Sequence, residues 1–287
     1  MSEPMKGVLL IGSRGLLGTS LTRAWLGSPS LRVVESPRFD ICSESEIVTA
    51  LSSLKVHAVV NLAAMTSVDE CELYPERALV TNGIAPGMIA RACRERGLDF
   101  VQISTDHVYD APGANSEGAV ILRNMYAESK FAGDQLVVEA GGTVLRTNFF
   151  GPSLVPGRKS FSDWLLDSFR DRAQISLATD VFFSPLHMRT LARALARVIA
   201  RPQSGIFNLG ASTVLSKRDF AYVLAELKGH NLTSHSHDIL IDELKLKAPR
   251  PKGMGMDNAL FAGTFGLTLP TLQEEIGLLG EAHEAQV

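Results

Sequence analysis

The chain has 287 residues, 28 Lys and Arg against 31 Asp and Glu, a formal net charge of −3 and 45% hydrophobic residues. That balance describes a globular protein of one large or two smaller domains, with no basic field for nucleic acid. No apolar run reaches the roughly 20 residues of a membrane span, and Met1-Ser2-Glu3-Pro4-Met5-Lys6 lacks the apolar core of a signal peptide. Cys42, Cys71 and Cys93 are odd in number and share no metal-type spacing. They read as free thiols of a cytoplasmic enzyme in a reducing compartment, with no metal site.

Val8-Leu9-Leu10-Ile11 runs straight into Gly12-Ser13-Arg14-Gly15-Leu16-Leu17-Gly18, after which Leu17, Leu21, Ala24 and Trp25 recur at helical spacing. This predicts a buried strand, a tight turn and a helix. Such a turn leaves N–H groups free at a helix N-terminus, where the helix dipole adds positive potential, so a pyrophosphate fits there. The position directly after an apolar run favours a dinucleotide site over a bare strand–turn–helix. Gly12, Ser13, Arg14, Gly15, Leu16 and Leu17 are its expected contacts.

A second strand is predicted at Leu31–Glu35, followed by Ser36-Pro37-Arg38-Phe39-Asp40-Ile41. A dinucleotide fold reads the adenosine ribose here. Glu35 would accept from a free 2′-OH and favour NADH. Arg38 and Arg14 would pair with a 2′-phosphate and favour NADPH. Two cations against one carboxylate tilt the expectation to NADPH and leave NADH open, with Arg38, Asp40 and Ile41 counted among the cofactor contacts.

Residues 43–55 have helical character. The stretch 56–64 reads as a strand whose end, Leu62-Ala63-Ala64, is small enough to let a ligand approach. A long helix over 76–96 is interrupted by Gly83, Pro86 and Gly87, and Pro86 should kink or restart it. Strand 100–103 leads into Ser104-Thr105-Asp106-His107-Val108-Tyr109. The segment 111–118 reads as a mobile loop. Tyr126 opens a helix that Gly141-Gly142 ends, before a strand at 143–149. This alternation predicts an α/β fold with a doubly wound parallel sheet of Rossmann type.

After Gly151-Pro152 the alternation loosens. Helices are expected at 161–172, 188–200 and 220–228, with extended chain at 175–177 and 205–210. The stretch 230–237 reads as a polar loop whose His235 and His237 lack a third metal ligand. Residues 1–150, completed by 186–210, should form the dinucleotide-binding domain. Residues 152–185 and 211–287 should form a smaller substrate lobe, with the cleft between them as the site.

Tyr126 and Lys130 stand four apart on one helix face. An ammonium near a phenol favours the phenolate and lowers its pKa from about 10, making Tyr126 a usable general acid or base. Ser104 and Thr105, at a strand's carboxyl end, offer a hydroxyl to a substrate oxygen. With a dinucleotide, these describe carbonyl–alcohol interconversion by hydride transfer.

The Gly12/Gly15/Gly18 spacing, the Asn61–Ala64 strand end, Thr105 and the Tyr126/Lys130 pair resemble an extended short-chain dehydrogenase/reductase. Asn61–Glu72, Ser104–Tyr109, Leu145-Arg146-Thr147, Arg250-Pro251 and the late Asn258–Leu269 segment resemble its dTDP-4-dehydrorhamnose reductase branch. The resemblance implies deoxysugar biosynthesis: NAD(P)H-dependent reduction of the C4 keto group of a nucleotide-linked 4-keto-6-deoxy sugar. It makes Thr105, Tyr126 and Lys130 catalytic. Tyr126 would be the proton donor; Lys130 would lower its pKa and hold the nicotinamide ribose. Leu62, Ala63 and Ala64 would line the cofactor, and Thr66, Val68, Asp106, His107, Phe149 and Arg250 the substrate. It also allows a homodimer.

Two positions depart from the branch, which carries Tyr where His107 stands and Trp where Phe149 stands. Both should face the sugar, so they bear on which sugar is bound. Dehydratases of the superfamily place Glu where His107 stands, so a dehydratase or epimerase reading comes second. A non-catalytic regulatory subunit, like the methionine adenosyltransferase β subunit, is the alternative outside enzymes.

Overall fold

A computed structural model describes residues 5–35 and 37–281. The expectations that fall on Ser36 and on the two chain ends lie outside the described residues. Six strands form one parallel sheet: β1 (Lys6–Ile11), β2 (Leu31–Val34), β3 (Ala58–Asn61), β4 (Asp99–Thr105), β5 (Thr143–Thr147) and β6 (Gly205–Leu209). Their order is β6-β5-β4-β3-β1-β2.

Side chains of a strand alternate between faces, and this sheet buries both. Val8, Leu10, Val60 and Leu145 join Leu191, Leu195 and Val198 of the helix Met188–Ala200 on one face. Leu9, Ile11, Val59 and Val144 join Ile47, Ile89 and Val137 on the other, from the helices Glu44–Ser52, Ala85–Glu95 and Met125–Glu139. That is why the strands read as continuous apolar runs. Each fully buried aliphatic side chain contributes roughly 1.5–3 kcal/mol. From β1 the chain pairs β2 on one side and then crosses to β3 on the other, which opens a crevice beyond their carboxyl ends.

The long helix restarts at Pro86, as expected, but in a form the spacing did not announce. Residues Pro75–Ala78 are α-helical, Leu79–Ile84 form a π-helix, and Ala85–Glu95 resume the α-helix with Pro86 in the first turn. Proline has no N–H for the Asn82 carbonyl four residues back. That carbonyl instead crowds the tyrosine helix, where a Cβ on Gly133 would sit 2.3 Å from it.

Two loop expectations are corrected. Ala114–Asn115, within the stretch read as mobile, pairs in parallel with Gly255-Met256. The buried Asn115 Nδ2 donates to the carbonyls of Gly253 and Gly255 at 3.0 and 2.8 Å, which anchors the segment. Ser236–Ile239, at the end of the stretch read as polar loop, is a strand paired in parallel with Ile175–Ala178. No helix among the described residues is long and apolar enough to cross a membrane.

Candidate active site

The glycine turn is built by backbone constraints. Gly12 has φ +86°, in the left-handed region, and a Cβ there would lie 3.0 Å from the Ala63 nitrogen. Gly18 has ordinary helical backbone but no room: a Cβ would meet the Gly12 carbonyl oxygen at 2.4 Å. Gly15 caps the helix Leu16–Ala24 without a side-chain acceptor, so the first-turn N–H groups face outward uncapped. A pyrophosphate of a dinucleotide fits this cradle, which any side chain at residue 12 or 18 would fill.

Opposite the turn, the end of β3 is shaped by buried amides. Asn61 Nδ2 donates to Gln102 Oε1 at 2.8 Å, and Asn61 Oδ1 accepts from the Ala63 N–H at 3.1 Å. Asn82, from the π-helix, clamps Met65 through its N–H (2.8 Å) and carbonyl (3.0 Å) and donates to Ser129 Oγ at 3.1 Å. The loop Leu62–Thr66 is thereby tied to the helix that carries Tyr126 and Lys130. That helix is capped by Asn124, whose Oδ1 accepts from the Ala127 N–H at 2.9 Å and whose Nδ2 donates to the Pro249 carbonyl at 2.8 Å.

These elements enclose a cavity of about 340 Å³. Of the expected cofactor contacts, Gly12, Gly15, Leu16, Leu17, Leu62, Ala63, Ala64, Tyr126 and Lys130 line it; of the expected substrate contacts, Thr66 and Phe149 do. Gly18, Ile103, Ser104 and Arg158 complete the wall. Arg158 carried no sequence signal: it directly follows Pro156-Gly157, outside every motif. Thr105, Asp106 and His107 follow Ser104 in the chain but do not line the cavity; the Thr105 side chain hydrogen-bonds with Tyr126, and the His107 ring packs T-shaped against the tyrosine ring at 5.4 Å.

Other candidates sit outside that wall. Ser13, Arg14, Arg38, Asp40 and Ile41 do not line it; Arg14 and Arg38 are exposed and make no ion pair among the described residues. Asp40 is used locally, accepting from the Cys42 N–H at 2.9 Å. Val68 begins the helix Val68–Leu73, and Arg250 pairs with Asp69 at 3.0 Å.

The family model described as RmlD substrate binding domain matches residues 5–283. The chain belongs to this family. Among curated relatives, a probable low-salt glycan biosynthesis reductase from Haloferax volcanii is 29% identical, across 94% of this chain and 96% of the relative. The dTDP-4-dehydrorhamnose reductase of Escherichia coli K12 is 27% identical, across 93% and 94%. The crystal structure of dTDP-4-dehydrorhamnose reductase from Bacillus anthracis in complex with NADP superimposes with a TM-score of 0.88 at 23% identity, covering 97% of this chain and 99% of that one.

Burial dominates the electrostatics of this RmlD-family site. The Lys130 ammonium donates to the Ile103 carbonyl at 2.8 Å, and burial lowers its pKa to about 8 against the opposing pull of Asp134. Asp134 is itself in a fully buried ion pair with Arg146 at 2.9 Å, and Arg146 also donates to Tyr109 Oη at 2.9 Å. Burial raises Asp106 to about 6, opposed by the hydrogen bond that Asn148 Nδ2 donates at 2.7 Å. It lowers His107 to about 3, with Lys217 and Arg250 adding to the effect. The Tyr126 phenol is pushed above its ordinary value by burial, against hydrogen bonding by Thr105. The spacing argument expected a lowered tyrosine. The difference arises because the phenol is enclosed, and the nearby Asp106, Cys71 and Asp134 disfavour the phenolate further.

Proposed function

We propose that this chain reduces the C4 keto group of a nucleotide-linked 4-keto-6-deoxy sugar with NADPH. One observation carries the reading: Tyr126 and Lys130 face the same cavity as the glycine cradle. The names of the relatives support it. NADPH supplies the hydride when bound. The first-turn N–H groups after Gly15 and the closely packed Gly12 would hold its pyrophosphate, and Lys130 its nicotinamide ribose. Thr105 Oγ, which accepts from the His107 N–H at 3.2 Å, would orient the substrate oxygen toward Tyr126. Tyr126, a phenol and so protonated at neutral pH, donates the proton as the alcohol forms. His107 and Phe149 would bear on the choice of sugar. Residues 152–185 and 211–287 would form the substrate lobe over the cofactor-binding part, and free Cys42, Cys71 and Cys93 suit a reducing cytoplasm.

A dehydratase reading is weaker, because a His107 held near 3 is a poor base at neutral pH. A panel of nucleotide-linked 4-keto sugars, with NADPH absorbance followed, tests the proposal. Consumption with at least one sugar is expected. No consumption with any of them, together with co-purification with a synthetase, would favour the regulatory-subunit alternative. NADPH should bind more tightly than NADH, and Arg38→Ala should narrow the gap; equal affinities in the unsubstituted protein contradict the assigned 2′-phosphate readers.

A further inference from the structure

Lys217 was not among the candidates of the sequence. It opens the helix Lys217–Leu227, directly after the strand Leu215-Ser216. Its backbone N–H donates to the Val181 carbonyl at 2.9 Å, and Ser216 Oγ caps the helix by accepting from the Asp219 N–H at 3.0 Å. The backbone therefore fixes where the side chain starts. Its Nζ lies 5.5 Å from the Phe161 ring centroid and 5.9 Å from that of Phe183. Those rings are packed around Phe220, at 5.4 and 5.5 Å between centroids.

This cation thus stands against two apolar rings in a half-buried position. Its Nζ makes no hydrogen bond or ion pair among the described residues. Asp106 attracts it from a distance, but that carboxylate is already engaged by Asn148 at 2.7 Å and by Thr105 at 3.4 Å. Arg250, which also acts on Lys217, is held by Asp69. Lys217 in turn acts on His107, whose ring meets Tyr126. Ring faces attract a cation without replacing a counter-ion, and an anionic oxygen is what completes such a site.

We propose that Lys217 recognises an anionic oxygen in the diphosphate linkage of the substrate. The inference rests on the reductase reading for what else the site holds. It makes Lys217 a specificity residue beside the proton donor, not part of the proton path.

The test reads binding rather than turnover. Calorimetry with dTDP, dTDP-glucose and thymidine, which lacks the diphosphate, compares the unsubstituted protein with Lys217→Met and Lys217→Arg. Lys217→Met weakens dTDP and dTDP-glucose roughly tenfold or more and leaves thymidine unchanged. Lys217→Arg retains most of the affinity, and NADPH binding is unchanged. Equal affinities in Lys217→Met, no binding of any probe to the unsubstituted protein, or a parallel loss of NADPH affinity that Lys217→Arg does not rescue would each overturn the proposal. A protein that loses dTDP through Lys217→Met yet reduces no keto sugar would sink the reductase reading alone. Keto-sugar reduction with an unchanged KM in Lys217→Met would sink this inference alone.

Discussion

Gly18→Ala tests the glycine cradle through space rather than chemistry. Residue 18 is helical, so its backbone accepts alanine, but the added Cβ would lie 2.4 Å from the Gly12 oxygen and 2.6 Å from Ser13 Cα and C. All three are backbone atoms of the turn that would hold the pyrophosphate. Ordinary contact begins at 3.4 Å, so the turn must move by about 1 Å. Overpacking of this kind costs about 1–3 kcal/mol, of which helix propensity returns up to about 1. Each kcal/mol shifts Tm by about 2–4 °C in a chain of this size, so a fall of a few degrees is expected. The same movement stretches a hydrogen bond of about 2.9 Å out of range, and losing one such bond to a charged group costs about 1.5–3 kcal/mol. NADPH affinity should therefore fall about tenfold or more. Gly263→Ala is the control: nothing lies within 4 Å of its Cβ in the helix Ala259–Phe265, so stability should hold or rise and NADPH binding stay constant. Thermal unfolding and fluorescence titration read both effects. Unchanged Tm and unchanged NADPH affinity in Gly18→Ala would refute the cradle.

Burial raises Asp106 from its ordinary 3.8 to about 6, so folding favours its protonated form. The stability this contributes is fully present below about pH 4 and is lost as pH rises through 6, spanning at most about 3 kcal/mol. Asp106→Asn should flatten the urea-denaturation profile over that window, and an unchanged slope contradicts the assignment. Arg146→Met strands the fully buried Asp134 carboxylate and should cost about 3–5 kcal/mol. Asp134→Leu combined with Arg146→Met should recover much of it; a fully additive loss in the double variant would mean the two charges do not compensate one another.

The parallel sheet was legible because β1, β3, β4 and β5 are each a short apolar run between helical patterns, and burial of both sheet faces demands that pattern. The glycine turn was legible because close approach of backbone to backbone leaves no alternative residue at 12 and 18. What stayed hidden depends on partners distant in the chain. Ala114-Asn115 looks like loop until Gly255-Met256 arrives beside it. The π-helix at Leu79–Ile84 forms where Pro86 withholds a donor and Asn82 turns to Met65 and Ser129. Spacing placed Tyr126 and Lys130 on one face, but the tyrosine's acidity depends on enclosure and on the nearby Asp106, Cys71 and Asp134. Arg158 reaches the site from a segment with no motif at all.

The central claim is that Tyr126 gives the proton. Tyr126→Phe removes the hydroxyl and little else, so fold and NADPH affinity should survive. Single-turnover oxidation of bound NADPH by an accepted keto sugar, followed in stopped flow, measures the step directly. The account predicts a rate roughly 10²–10⁴ lower in Tyr126→Phe, with His107→Phe altering mainly the choice of sugar. A near-normal single-turnover rate in Tyr126→Phe, alongside abolished turnover in His107→Phe, would contradict it.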